Sequence, residues 1–182
     1  MSRFSSTFSQ FVSSASVVGF SGHRSVCPPF AVQQLVFSSV PVSASVAVGC
    51  ARGLDSLVRS AFPSAVVFRA YSFGSGASAF ARRSSALVSS LSSARFSVFV
   101  SFPAVACPAG LLPSSSSRVC FCGLGSGSWA SLALAVGSGV PSFLWLPSGV
   151  FPPAGWGFLS LGGGWFFALS EQFLDFSTNE DK

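Results

Sequence analysis

The sequence predicts an α/β protein built on a mostly parallel sheet. Apolar runs of about five to eight residues, the length of buried strands, recur along the chain. Behind each lies a segment whose apolar residues return at helical spacing. Between residues 15 and 147 the two alternate, and a crossover helix lets a chain re-enter a sheet in the same direction.

The first strand lies in ASVVGFSG, residues 15–22, an apolar run ending in glycine. The helix after it starts at the prolines of PPFAVQQLVFSSV, residues 28–40, because a fixed φ and a missing N–H suit a first helical turn. The unit repeats as SVAVG, residues 45–49, the turn CARG, and LDSLVRSAF, in which Leu54, Leu57, Val58 and Ala61 share one face. A third unit is AVVFRA, residues 65–70, then a Gly/Ser turn and ASAFARRSSALVSSL, with Phe80, Leu87, Val88 and Leu91 on one side. FSVFVSFP, residues 96–103, is the fourth strand. Its return is delayed by the Pro- and Ser-rich AVACPAGLLPSSSS. VCFCGLGSGSWASLALAVGSG then supplies a Gly-rich turn and a small-residue helix, with Cys120 and Cys122 facing one side of a strand, and VPSFLWLP, residues 140–147, is the fifth strand.

The expected strand order is 3-2-1-4-5 in a three-layer fold, with the reversal of order between the first and fourth strands. Residues 1–14 read as a Ser-rich lead. Residues 148–182 read as a Gly/aromatic extension, forming a hairpin over a sheet edge or a partner contact, with a charged tail.

Charged residues make up only 8% of the 182 residues, and the net charge is +5. Nine arginines and Lys182 carry the positive charge, while the acids cluster in the tail: Asp55 is the only one before Glu171. Such a body favours an anionic partner. A mean hydropathy of +0.63 raises the question of a membrane. No window of about 18 residues is free of Gly, Pro and Ser, so no spanning helix is expected. Nor is there a basic segment leading into a long apolar one, and the cytoplasm is the expected location. Five cysteines without CxxC spacing and a lone His23 predict no metal site, and small buried thiols kept reduced.

In open parallel sheets, ligands bind outside the carboxyl ends of the strands, at the point where strand order reverses. The first strand ends in Ser21, Gly22, His23 and Arg24; the second leads into Gly49, Arg52, Gly53 and Asp55; the turn before the last long helix carries Gly125, Ser126, Gly127 and Ser128. Glycine lets backbone N–H groups approach an anion, and a helix N-terminus adds partial positive charge. Arg24, Arg52, Arg82 and Arg83 are candidate phosphate ligands, since a guanidinium matches phosphate oxygens with two parallel N–H bonds. Asp55 either accepts from a ribose hydroxyl or orients an arginine, or else sits in a first helical turn paired with Arg52. His23 is a general acid or base, or a loop donor. Ser126 and Ser128 contact phosphate or cap their helix. Phe73 and Trp129 are the aromatics nearest the expected rim.

Together these segments resemble the SLOG superfamily. GHR looks like its G-x-R, VAVGCARGLDSLVRSAF like its V-x-G-G-A-R-G-x-D-x-x-A, ASAFARRSSALVSSL like its A-x-x-R-N-x-x-M helix, and GSGSWASLALAVGSGVP like its G-S-G-T ending through G-x-P. The resemblance covers residues 15–147 and implies a Rossmann-like domain that binds a nucleotide or nucleotide-derived phosphate ligand, an ADP-ribose derivative included, with no further cofactor. It leaves two alternatives: a single-stranded DNA-binding module similar to DNA-processing protein A, or a homo-oligomerising scaffold. The superfamily's Lonely Guy phosphoribohydrolases carry P-G-G-x-G-T-x-x-E, where this chain has Ser128 for the Thr and Ser131 for the Glu. Without that carboxylate, cleavage of a glycosidic bond is not expected.

Overall fold

A computed structural model describes residues 3–168. Helix α1 (Arg3–Val12) precedes strand β1 (Val17–Gly22), and the chain continues through α2 (Phe30–Phe37), β2 (Ser45–Gly49), α3 (Leu54–Ala61), β3 (Val66–Phe68), a 3-10 turn at Ala70–Phe73, α4 (Ala77–Ser92) and β4 (Ser97–Phe102). Then come α5 (Ser117–Cys120), α6 (Gly127–Gly137), β5 (Ser142–Trp145), β6 (Leu159–Gly162) and β7 (Trp165–Ala168). The strands form one sheet in the order β3-β2-β1-β4-β5-β7-β6. The first five are parallel, in the expected order, and β7 and β6 add an antiparallel edge.

Alternation along the strands sorts side chains into two cores. Val18 and Phe20 of β1, Val46 and Val48 of β2, and Val98, Val100 and Phe102 of β4 meet α1, α2 and α3 on one face. Ala47, Phe99 and Leu144 point the other way, into a core completed by Leu87, Val88 and Leu91 of α4, Trp129 and Leu132 of α6, and Trp156. The result is the three-layer, Rossmann-like arrangement. Gly19 is required under α4, because a β-carbon there would run into Leu91.

Three expectations change. The Ser-rich lead contains an amphipathic helix: Phe4, Phe8 and Val12 of α1, at intervals of four, are buried. Phe4 stacks on Trp165 with ring centroids 4.0 Å apart, and Phe8 meets Phe143 edge-on at 4.9 Å. Serines between them do not prevent the helix, since Ser6 and Ser13 return their hydroxyls to the carbonyls of Arg3 and Gln10. The stretch around Cys120 and Cys122 is not a strand. The Cys120 N–H closes a helical turn on the Ser116 carbonyl at 3.2 Å, leaving Cys120 buried and Cys122 exposed. Cys27 is also exposed, so the thiols are not uniformly interior. Of the extension after residue 147, β6 and β7 form a hairpin that continues the sheet; its charged tail, residues 169–182, lies outside the described residues.

The rings under α1 make its burial testable. Phe8→Ala removes a fully buried ring and is expected to lower unfolding free energy by about 3 kcal/mol in urea denaturation. Ser9→Ala, on the exposed face of the same helix, should change it by less than about 0.5 kcal/mol.

Candidate functional site

The carboxyl ends of β1, β2 and β4 open onto a cleft of about 970 Å³. It lies between β1 and β4, where strand order reverses. Its walls are the turn after β1, the first turns of α3 and α4, the segment after β4, and the Gly-rich approach to α6.

Glycines let the first wall form. A β-carbon at Gly22 would strike Leu54 of α3, and one at Gly53, whose φ is +65°, would strike the carbonyl oxygens of His23 and Arg24. The β1 turn and the α3 entrance are therefore in direct backbone contact, joined by a bond from Leu54 N–H to the His23 carbonyl at 3.3 Å. The His23 N–H donates to the Phe102 carbonyl of β4 at 3.1 Å. Its Nδ1 accepts the N–H groups of Ser25 and Val26 at 3.1 and 3.0 Å. The His23 imidazole thus serves the loop through Nδ1 as an acceptor.

Asp55 is buried at the α3 entrance. Its Oδ2 accepts the Ala51 N–H at 3.0 Å and faces Arg83 Nη1 of α4 at 3.3 Å. The partner is Arg83, not Arg52, because α4 crosses the end of β2 so closely that a β-carbon at Gly49 would collide with the guanidinium and with Asp55 Oδ2. Burial raises the Asp55 pKa above its ordinary 3.8, against the opposing pull of Arg83, the Ala51 N–H and Arg59. Arg83 is also buried, and its Nε has no hydrogen-bond partner.

On the opposite wall, α6 begins at Gly127 with Ser126 in the N-cap position. The first N–H groups of a helix have no intrahelical acceptor and carry the positive end of its dipole. Ser126 does not cap them. Its hydroxyl bonds that of Ser128 at 3.0 Å instead. Gly125 approaches with φ +109°, a left-handed conformation that glycine adopts without strain. Trp129 is fully buried and its indole N–H donates to the Val105 carbonyl at 2.8 Å, so it pins the cleft wall instead of offering a stacking surface.

Ten of the expected residues line the cleft: Ser21, Gly22, His23, Arg24, Asp55, Arg83, Gly125, Ser126, Gly127 and Ser128. Four lie outside its lining. Gly49 sits beneath the Asp55–Arg83 pair and Gly53 beneath the β1 turn, both as points of close backbone approach. Arg52 is exposed, as is Arg82, which donates to the Ser78 hydroxyl at 2.9 Å. Phe73, in the 3-10 turn, is also outside.

Two residues enter that the sequence does not single out. Arg59, one turn after Asp55, donates to the carbonyls of Gly49 and Ala51 at 2.9 and 3.1 Å and fixes the β2–α3 turn; the i, i+4 spacing from Asp55 was its signal. Phe80, expected in the core, lines the cleft with its ring 4.7 Å from the Arg24 guanidinium carbon. Leu91 lies over Gly19 and Arg83 over Gly49 at the end of β2, so α4 reaches the sheet's carboxyl edge before Phe80. Phe80 is on the apolar side of its helix, but beyond the sheet.

Burial pushes Cys107 up to about 11 and raises Cys120, keeping both thiols protonated at neutral pH. Ser131 is buried and donates to the Gly127 carbonyl at 2.8 Å. No protein family, curated protein or solved structure matches this chain.

The buried pair has a pH signature. Arg83→Met leaves the Asp55 carboxylate uncompensated and is expected to cost about 3 kcal/mol at neutral pH. It also pushes the already raised Asp55 pKa further up. Since protonation relieves the buried charge, the deficit relative to wild type should shrink as pH falls from neutrality toward 3.8. Urea denaturation of both proteins across that range measures it; a pH-independent deficit contradicts the assignment.

Proposed function

We propose that the chain binds a nucleotide or a nucleotide-derived phosphate ligand in the cleft between β1 and β4. One observation carries the reading: the uncapped start of α6, with its Gly-rich approach, faces the same cleft as the β1 turn bearing Arg24 and the buried Arg83. Helix N–H groups, a left-handed glycine and guanidinium groups form an anion-binding set. The resemblance to the SLOG superfamily adds the expectation of a nucleotide. Binding without hydrolysis is favoured, because the one carboxylate among the described residues, Asp55, is already bonded to Arg83 and the Ala51 N–H.

The single-stranded DNA reading rests on charge. Between residues 3 and 168 nine arginines face one carboxylate. Several of them, including Arg52, Arg69, Arg95 and Arg118, are exposed. Such a module binds longer strands more tightly and loses affinity steeply with salt. A pocket ligand shows no dependence on strand length.

Ser126→Asp separates binding from folding. An aspartate at the N-cap accepts helix N–H bonds and suits the dipole, so the melting temperature should hold or rise. It also places a negative charge where the ligand's phosphate would lie. Calorimetric titration with a nucleotide panel, ADP-ribose included, is expected to show at least about ten-fold weaker binding for Ser126→Asp, a loss of roughly 1.4 kcal/mol. Arg52→Ala, off the cleft, should bind as wild type does. Equal binding by Ser126→Asp and wild type would remove the α6 terminus from the site.

A further inference from the structure

Phe80 is 37% exposed although it sits on the apolar side of α4, and Arg24 covers its ring at 4.7 Å. The contact bridges two walls of the cleft, the turn after β1 and the first turns of α4. The cleft lining also has an apolar part, Val105, Pro108, Leu111 and Phe121, from the segment between β4 and α6. Its polar part includes Ser21, Ser78, Ser84, Ser126 and Ser128. The cleft therefore offers a flat, partly wetted aromatic face together with an anion cradle. Among the described residues Asp55 is the only carboxylate, and it pairs with Arg83, so Arg24 has no acidic partner.

Resting on the anion-binding reading of the cleft, we infer that Phe80 is a specificity residue: its ring stacks the planar aromatic part of the ligand, and Arg24 exchanges its place on the ring for the ligand's anionic group. A guanidinium on an exposed ring is held weakly, and a planar base gives the same ring face a larger contact. The freed guanidinium then presents its planar fork of donors to phosphate oxygens. A ligand carrying both parts replaces the Arg24–Phe80 contact on both sides. A sugar phosphate breaks that contact and restores only half of it.

The test compares adenosine 5′-monophosphate with ribose 5-phosphate by calorimetric titration of wild type, Phe80→Leu and Phe80→Trp, with thermal melts to confirm that each variant is folded. Wild type is expected to bind the nucleotide at least about ten-fold more tightly than the sugar phosphate, the low end of what one stacked base contributes. Phe80→Leu should erase that preference by weakening the nucleotide alone, and Phe80→Trp should keep or enlarge it. An unchanged preference in Phe80→Leu overturns the role of Phe80 while leaving the anion site standing. Failure of wild type to bind either compound overturns the anion site itself.

Discussion

The contact between Asp55 and Arg83 organises the carboxyl edge of the sheet. Three elements meet there: the end of β2, the first turn of α3 and the second turn of α4. Each is fixed by a different bond to the same pair. The Ala51 N–H holds the turn, the carboxylate's position on α3 sets where that helix starts, and the guanidinium sets how far α4 extends past the strands. Glycine at position 49 follows from this geometry, since no side chain fits under the pair. In a chain with so few acids, this one carboxylate is committed to shape. Of the readings the sequence left open, orienting an arginine is the one the geometry matches, and the arginine is Arg83 of a neighbouring helix instead of Arg52 three residues away.

The parallel part of the sheet was legible because its strands are short, mostly apolar runs, and the order of those five strands was expected from the repeated strand–helix unit. The cleft was legible for a related reason: the fold dictates where such turns converge, and ten of the fourteen expected residues line it. What remained hidden depended on position along an axis or across the chain. Phe80 obeys the helical period of α4 perfectly well, yet periodicity says which side a residue faces and not whether the sheet continues beneath it. Trp129 was read as a rim aromatic because it follows the Gly-rich turn, but its indole is drawn inward by the Val105 carbonyl. In α1, alternating serines masked three apolar positions whose ring partners come from the far end of the described chain.

Serine takes over work that charged residues do in most proteins. On the helices its hydroxyls fold back onto carbonyls three or four residues earlier, as at Ser38, Ser85 and Ser93, which satisfies them locally and leaves few strong fields on the surface. Inside, Ser97 and Ser142 bond the carbonyls of Leu91 and Val140, so buried hydroxyls cost little. Against this electrically quiet background, the positive charge of Arg24 at the cleft is a source of long-range attraction for anions.

The packing of α1 bears on how the chain reaches its folded state. Phe4 and Phe8 rest against Phe143 and Trp165, so the rings of α1 are covered only once β5 and β7, far along the chain, have been made. Until then its aromatic stripe has nowhere of its own to go, and the contact that covers it is among the longest in sequence the protein makes. Closure of such distant contacts slows folding and prolongs the exposure of sticky intermediates. The ring stack that covers α1 is thus also a contact whose partners the nascent chain must wait for.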